Sequence, residues 1–421
     1  MNPLTHSKNT TILPRLVPLV LACFALLPSP ALADVVTDWN AIALQTAFVS
    51  AVPPRPGPSA ILDLAMVQAA VHDAIQAFQK RFEPYAVAIS DASGSPVAAA
   101  AVAAHDVLVA RFPSQAADLD MRLQTYLSGR GLLGDAGIDI GHQAAAAIIS
   151  VRTGDGSFPP NPEVFLGGNG PGEWRPTLPA FAPMATPWMA TVTPFTLKDA
   201  AQLRAARPPT RLNSGEYVRD YNEVKALGSI NSTERTPEQT ALAVFYAGNF
   251  IDLWFRTLQG IAETNLSDIG DSARLFALSG LASVDAFITA WSSKRYWNFW
   301  RPITAIQEGD NDGNSRTVGD PNWLPFLPTP PYPDYTSGAN NVTGAMTRTL
   351  EHFFGDRTTF SITSAITNTT KTYHRFSDAA SDVVSVRVYQ GIHFRSADEV
   401  ALRQGSAAAN WAHSHFLRPM E

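Results

Sequence analysis

The chain has 421 residues, 45% apolar and 16% charged, with a formal net charge of −6. That length supplies one large core or two packed lobes, and the acidic balance argues against nucleic acid as a partner. Cys23 is the only cysteine, which excludes an internal disulfide.

Residues 1–33 carry Lys8 and Arg15, an apolar run from Leu16 to Leu27, and Ala31-Leu32-Ala33 before Asp34. This pattern reads as a cleaved signal peptide, so a secreted or periplasmic protein without a thiol is expected. Val20-Leu21-Ala22-Cys23 offers a lipoprotein alternative. Without Lys8 and Arg15 the chain has 29 basic and 37 acidic residues, a balance of −8. No later run is read as reaching the eighteen or so apolar residues of a bilayer span.

An N-terminal helical region is expected over 34–194 and a C-terminal one over 195–421. A helix led by Asp38-Trp39-Asn40 runs through Phe48 to the Pro-rich link 53–58. Helical spacing recurs over Ala60 to Phe78, Ser95 to Arg111, Gln115 to Leu127 and Ala136 to Val151. His72 interrupts the first of these as a satisfied core histidine. From Gly154 to Pro194 the texture turns to Gly, Pro and aromatics, the mark of a functional stretch or a surface crossover. Arg175 within it suits a structural ion pair better than an anion site.

Ser214 to Leu227 reads as helix, and the capping box Thr236-Pro237-Glu238-Gln239 starts a firm one toward Phe255. Asn265 or Ser267 is expected to cap the next, an apolar segment over Ala273 to Trp300. It ends in Lys-Arg-Tyr-Trp-Asn-Phe-Trp-Arg-Pro at 294–302. Seven helical residues turn through about 700°, so Lys294 and Arg301 are expected to point the same way and grip one anion. Two like charges near 4 Å repel by about 4 kcal/mol at an effective dielectric of about 20, so a carboxylate or a bound oxyanion must join them. Pro302 disfavours helix at Arg301 and places it at the frayed C-terminal end. Asp285, nine residues before Lys294, is expected to buttress one of the arginines.

Glu308 to Tyr335 reads as a long loop. Its Asp310-Asn311-Asp312-Gly313-Asn314 lacks the glycine position and closing glutamate of a calcium loop. Pro-Asp-Tyr-Thr-Ser-Gly at 333–338 opens a helix with the stripe Val342, Met346, Leu350 and Phe353. Ser337 and Gly338 therefore offer free amides and the positive dipole end to an anion. Farther on, Arg387 and His393 flank Gly391 past a helix end. Ser396 and Glu399 read as another capping box, with Asp398 placed either to orient His393 or to pair with the positive N-terminal end of the helix. His413 and His415, two apart on the last helix, face different ways and are not expected to share a metal.

These residues resemble the vanadium-dependent haloperoxidases and the type 2 phosphatidic acid phosphatases that share their fold. Lys294, Arg301 and Pro302 match the Lys, six residues, Arg-Pro element; Arg387, Gly391 and His393 match the last element. Ser337 and Gly338 match the first two positions of Ser-Gly-His, but the histidine falls on Ala339. The resemblance implies an all-α architecture of helical bundles with long Pro-rich loops. It implies vanadate as cofactor, with phosphate able to take the same site, and His393 as axial vanadium ligand. Lys294, Arg301, Ser337, Gly338 and Arg387 would neutralise the oxyanion, and Trp291 and Tyr332 would lie on the halide side. The implied partners are hydrogen peroxide and halide, or a phosphate ester in a phosphatase using His393 as nucleophile. A non-catalytic oxyanion-binding protein is the third alternative. Loss of the histidine at 339 removes a proton carrier, for which Asn340 offers hydrogen bonding but no proton exchange.

Overall fold

The computed structural model describes Met1 and residues 34–204 and 207–420; the leader read over 1–33, with Cys23, lies outside them apart from Met1. The described residues form thirteen α-helices and one β-hairpin, the all-α architecture expected. The helices are α1 Val35–Leu44, α2 Ala60–Gln79, α3 Pro96–Arg111, α4 Ala116–Ser128, α5 Gly137–Val151, α6 Gly215–Leu227 and α7 Pro237–Phe245. Then follow α8 Phe250–Asn265, α9 Ile269–Trp297, α10 Pro302–Gln307, α11 Gly338–Phe354, α12 Phe376–Tyr389 and α13 Arg395–His415.

The helix α9 is the axis of the molecule. Every residue from Leu275 to Lys294 is buried, as a helix apolar on all sides must be. α2 packs along one flank of it, backed by α3 and α5, while α11 and α13 pack along another and against each other. By length and composition α9 would cross a membrane, contrary to the expectation that no later run would; its whole apolar window is buried inside the protein.

Local chemistry moves several boundaries. The helix expected to run from Thr236 toward Phe255 breaks in two, because Asn249 caps a new helix by accepting hydrogen bonds from the Ile251 and Asp252 amides. Asp268, not Asn265 or Ser267, caps α9 through the Gly270 and Asp271 amides. α13 starts at Arg395 with no side-chain cap, so the Ser396 box does not form; the Ser396 amide donates to Asp220 instead. The hairpin β1 Phe360–Thr363 with β2 Thr370–Tyr373 lies outside every expectation. Its Phe360 and Ile362 are buried and alternate with exposed Ser361 and Thr363, the half-buried strand pattern.

α11 and α13 touch backbone to backbone at Gly344 and Gly405: a Cβ on Gly405 would collide with the Asn341 carbonyl, and one on Gly344 with that of Leu402. Gly405→Ala is therefore expected to destabilise the protein by about 1–3 kcal/mol in urea unfolding. Gly260→Ala, exposed on α8 with open space at its Cβ, is expected to stabilise by about 0.5–1 kcal/mol. Equal effects would contradict the close approach.

Candidate active site

Lys294 lies in the last turn of α9, which ends at Trp297 because Asn298 turns left-handed at φ 44°. Arg301 follows in extended conformation (φ −83°, ψ 156°), as Pro302 requires, and caps the start of α10. The two cations are thus not on one helix, and the expectation of a shared helical face was wrong. The chain reversal joins them instead. It is held from the irregular stretch, where the Trp174 amide donates to the Asn298 carbonyl at 2.8 Å and the Trp300 amide to that of Gly172 at 2.9 Å.

The other expected elements form where the sequence puts them. Ser337 is the N-cap residue and Gly338 the first residue of α11. A Cβ at Gly338 would stand 3.1 Å from the Trp291 ring. Arg387 lies in the last turn of α12, and His393 in the link to α13 just past Gly391. Gly391 has φ +77° and leaves no room for a Cβ against the Gly228 carbonyl, so only glycine suits it.

Lys294 Nζ donates to the carbonyls of Pro333 at 2.6 Å and Asp334 at 3.0 Å. Arg301 donates from Nε to the Tyr332 carbonyl at 2.7 Å and from Nη1 to that of Ile392 at 2.6 Å. Arg387 Nη1 donates to Gln390 Oε1 at 2.6 Å. Among the described residues, Arg301 Nη2, Arg387 Nε and Ser337 Oγ are buried with no partner. Groups so placed cost about 1–3 kcal/mol each, more when charged, unless a guest pairs with them.

His393 closes the set. Its Nε2 lies 3.1 Å from Arg301 Nη1. A guanidinium only donates, so Nε2 presents a lone pair. Burial, then the charges of Arg301, Lys294 and Arg387, hold the imidazole pKa well below its ordinary value, so the ring is neutral. Burial, then Arg301, likewise lowers Lys294 well below a free lysine. Neither Lys294 nor Arg387 has an acidic side chain in salt-bridge contact among the described residues.

The carboxyl of this site is Asp334, which the sequence reading quoted but gave no role. It is fully buried, with Oδ1 2.7 Å from His393 Nδ1 and 3.7 Å from Arg301 Nη1. Burial pushes it up to about 8 against the pull of Arg301 and Lys294. A carboxylate three residues ahead of the Ser337-Gly338 helix start was the signal. The roles assigned to two other carboxylates need correction. Asp398 does not meet His393; its Oδ1 accepts from Asn340 Nδ2 at 2.8 Å, and burial raises it to about 7. Asn340 is thereby buried and turned from the cleft. Asp285 buttresses no arginine: it takes the Phe195, Thr196 and Leu197 amides and the Thr196 hydroxyl, pinning the crossover to α9.

Trp291 and Tyr332 meet at 5.0 Å between ring centroids. Lys294 Nζ and Arg301 Cζ stand 4.8 and 4.7 Å from the Tyr332 ring centre. A cleft of about 370 Å3 opens here, with Phe250, Phe287 and Tyr332 on its walls and Gly338, Ala339 and Arg387 reaching into it. Elsewhere Arg175 pairs with Glu308 at 2.8 Å, and His72 bonds the Glu83 carbonyl at 3.0 Å, both structural as expected. His413 stacks on His352 rather than joining His415.

Residues 274–421 match the family model of the second helical-bundle domain of vanadium chloroperoxidase. Over that stretch the chain is similar to this helical bundle. The vanadium chloroperoxidase of Curvularia inaequalis is 27% identical over 36% of this chain and 30% of its own length, so the chain spans under a third of that relative. Across nearly the whole chain the fold is similar to that of the first bacterial vanadium-dependent iodoperoxidase structure. The TM-score is 0.77 at 23% identity, with 91% of this chain and 97% of that one covered. An apo-type bacterial vanadium-dependent chloroperoxidase follows, with TM-score 0.69, 19% identity and coverage of 85% and 93%.

The site residues fit a tetrahedral oxyanion: the unpartnered donors are cationic or hydroxylic, and the imidazole is neutral. Asp334 and Asp398 ionise as pH rises through about 7 to 8, cancelling positive charge in the seat. Sulfate, whose own charge is fixed in this range, is therefore expected to bind roughly tenfold more weakly above that window than below it, a difference of about 1.4 kcal/mol. Both carboxyls have raised pKa values, so the stability they contribute, fully present below the ordinary value of 3.8, is lost progressively as pH rises from there through about 7 to 8. Calorimetric titration at fixed ionic strength reads the first effect; affinity that stays level or rises with pH would contradict it.

Proposed function

We propose that the chain is an exported, vanadate-dependent haloperoxidase-like enzyme that oxidises halide with hydrogen peroxide. One observation carries the reading: unpaired buried donors on Arg301, Arg387 and Ser337 belong to the same cluster as a neutral His393 whose Nε2 lone pair faces Arg301 Nη1 at 3.1 Å, a donor that a bound oxyanion would take over. The superfamily relatives support the reaction class.

In this reading vanadate supplies the Lewis-acidic centre that activates peroxide. His393 Nε2 would anchor it, while Lys294, Arg301, Arg387, Ser337 and the Gly338 amide balance its charge. Donors fixed beforehand in a water-poor site stabilise developing charge without reorganising, usually the largest catalytic effect. The apolar walls at Phe250, Phe287 and Trp291 limit water around the halide. Export rests on the basic, apolar and small-residue pattern of residues 1–33. Phosphate has the same tetrahedral shape, and the His393 Nε2 lone pair, once released by Arg301 Nη1, equally suits a phosphatase nucleophile.

The apo-protein is given vanadate, peroxide and bromide in phosphate-free buffer. Bromination that requires vanadate and falls at least a hundredfold in His393→Ala is expected. Release of nitrophenol from its phosphate ester, without bromination, would replace the peroxidase by the phosphatase. Vanadate binding with neither activity would leave an anion-binding protein.

A further inference from the structure

The superfamily resemblance places a proton-carrying histidine where this chain has Ala339, and halide oxidation consumes a proton. The cleft contains the replacement. Of the residues lining it, only Tyr332 and Arg387 have ionisable side chains. A guanidinium stays protonated throughout the working range, which leaves the Tyr332 phenol as the one O–H acid in the cleft.

Its surroundings suit that task. Tyr332 is half-buried and shares the cleft with Gly338 and Ala339, so it borders both the anion seat and the missing imidazole's position. Lys294 and Arg301 stand against its ring, and Trp291 packs beside it at 5.0 Å. The same contacts fix the ring, while the open cleft supplies solvent for reprotonation.

We propose that Tyr332 is the proton donor of this site, carrying the proton that the histidine absent at position 339 would have carried. The proposal rests on the haloperoxidase reading. Overall, peroxide, halide and one proton give hypohalous acid and water. The O–O bond breaks, an O–halogen bond forms, and the halide gives up two electrons. The oxygen that leaves as water takes its proton from Tyr332 Oη, which solvent then restores. The charged and titratable groups that face Tyr332 are Lys294 and Arg301 against its ring and Arg387 across the cleft.

Tyr332→Phe is expected to lower kcat by roughly 10²–10⁴-fold, the usual effect of a positioned acid. Calorimetric vanadate affinity should stay within about threefold. Adding Ala339→His to Tyr332→Phe should recover at least about tenfold in kcat and move the pH profile toward an imidazole's. The readout independent of turnover is that calorimetric affinity.

A Tyr332→Phe enzyme with wild-type kcat overturns the proposal, as does loss of vanadate affinity in step with activity. So does a vanadate-binding double variant with no recovery. A wild-type protein that binds vanadate but oxidises no halide defeats the haloperoxidase reading, and the role of Tyr332 falls with it. Turnover by wild type matched by Tyr332→Phe defeats the Tyr332 role alone.

Discussion

Three buried cations crowd around one neutral imidazole, and the rest of the structure serves to hold them there. Lys294 and Arg301 are fully buried and Arg387 nearly so. Charges so placed are stable only when carboxylates, dipoles or a guest compensate them. Here carbonyls of the 332–334 loop and of Ile392 take some of the protons, and Asp334 supplies one carboxyl. The protons left over define an anion's position. The protein thus keeps a strained electrostatic state in its core, which binding of an oxyanion would relieve.

Holding that state requires rigid elements, and the fold provides them at each anchor. The buried length of α9 fixes Lys294, and the 172–174 segment, paired with 298–300, turns the chain sharply enough to bring Arg301 back. The glycine contact between α11 and α13 keeps the Ser337 helix start close to the segment that follows His393. Asp285, which makes no salt bridge to an arginine among the described residues, fastens the crossover onto α9 and thereby supports Trp291, whose indole Nε1 donates to the Ala185 carbonyl at 3.1 Å.

Residue type and spacing were enough to single out Lys294, Arg301, Ser337, Arg387 and His393 as candidates, because each sits at a helix end or break that local chemistry marks. Pro302 forced Arg301 out of helix, and Ser337-Gly338 began one. What spacing could not convey was geometry set from outside the segment. Asn298 adopts a left-handed turn that no periodicity signals, so the Lys294–Arg301 pairing came from the wrong cause. The partner of Asp398 depended on the rotation of α13 against α11, which turned it to Asn340 instead of His393. Asp334 was passed over because a lone carboxylate in a Pro-rich loop looks solvated until the loop is seen to be buried. The break at Asn249 and the Thr-rich hairpin were lost for a related reason: short polar interruptions count for little beside long helical periodicity.

The most direct test of the central claim is a crystal structure with vanadate added, read by anomalous scattering from vanadium. The account predicts one vanadium peak within bonding distance of His393 Nε2, with Arg301 Nη1 displaced from that nitrogen and Arg301 Nη2, Arg387 Nε and Ser337 Oγ all turned to the bound oxygens. Vanadium elsewhere, or none while Arg301 remains on the imidazole, would contradict it.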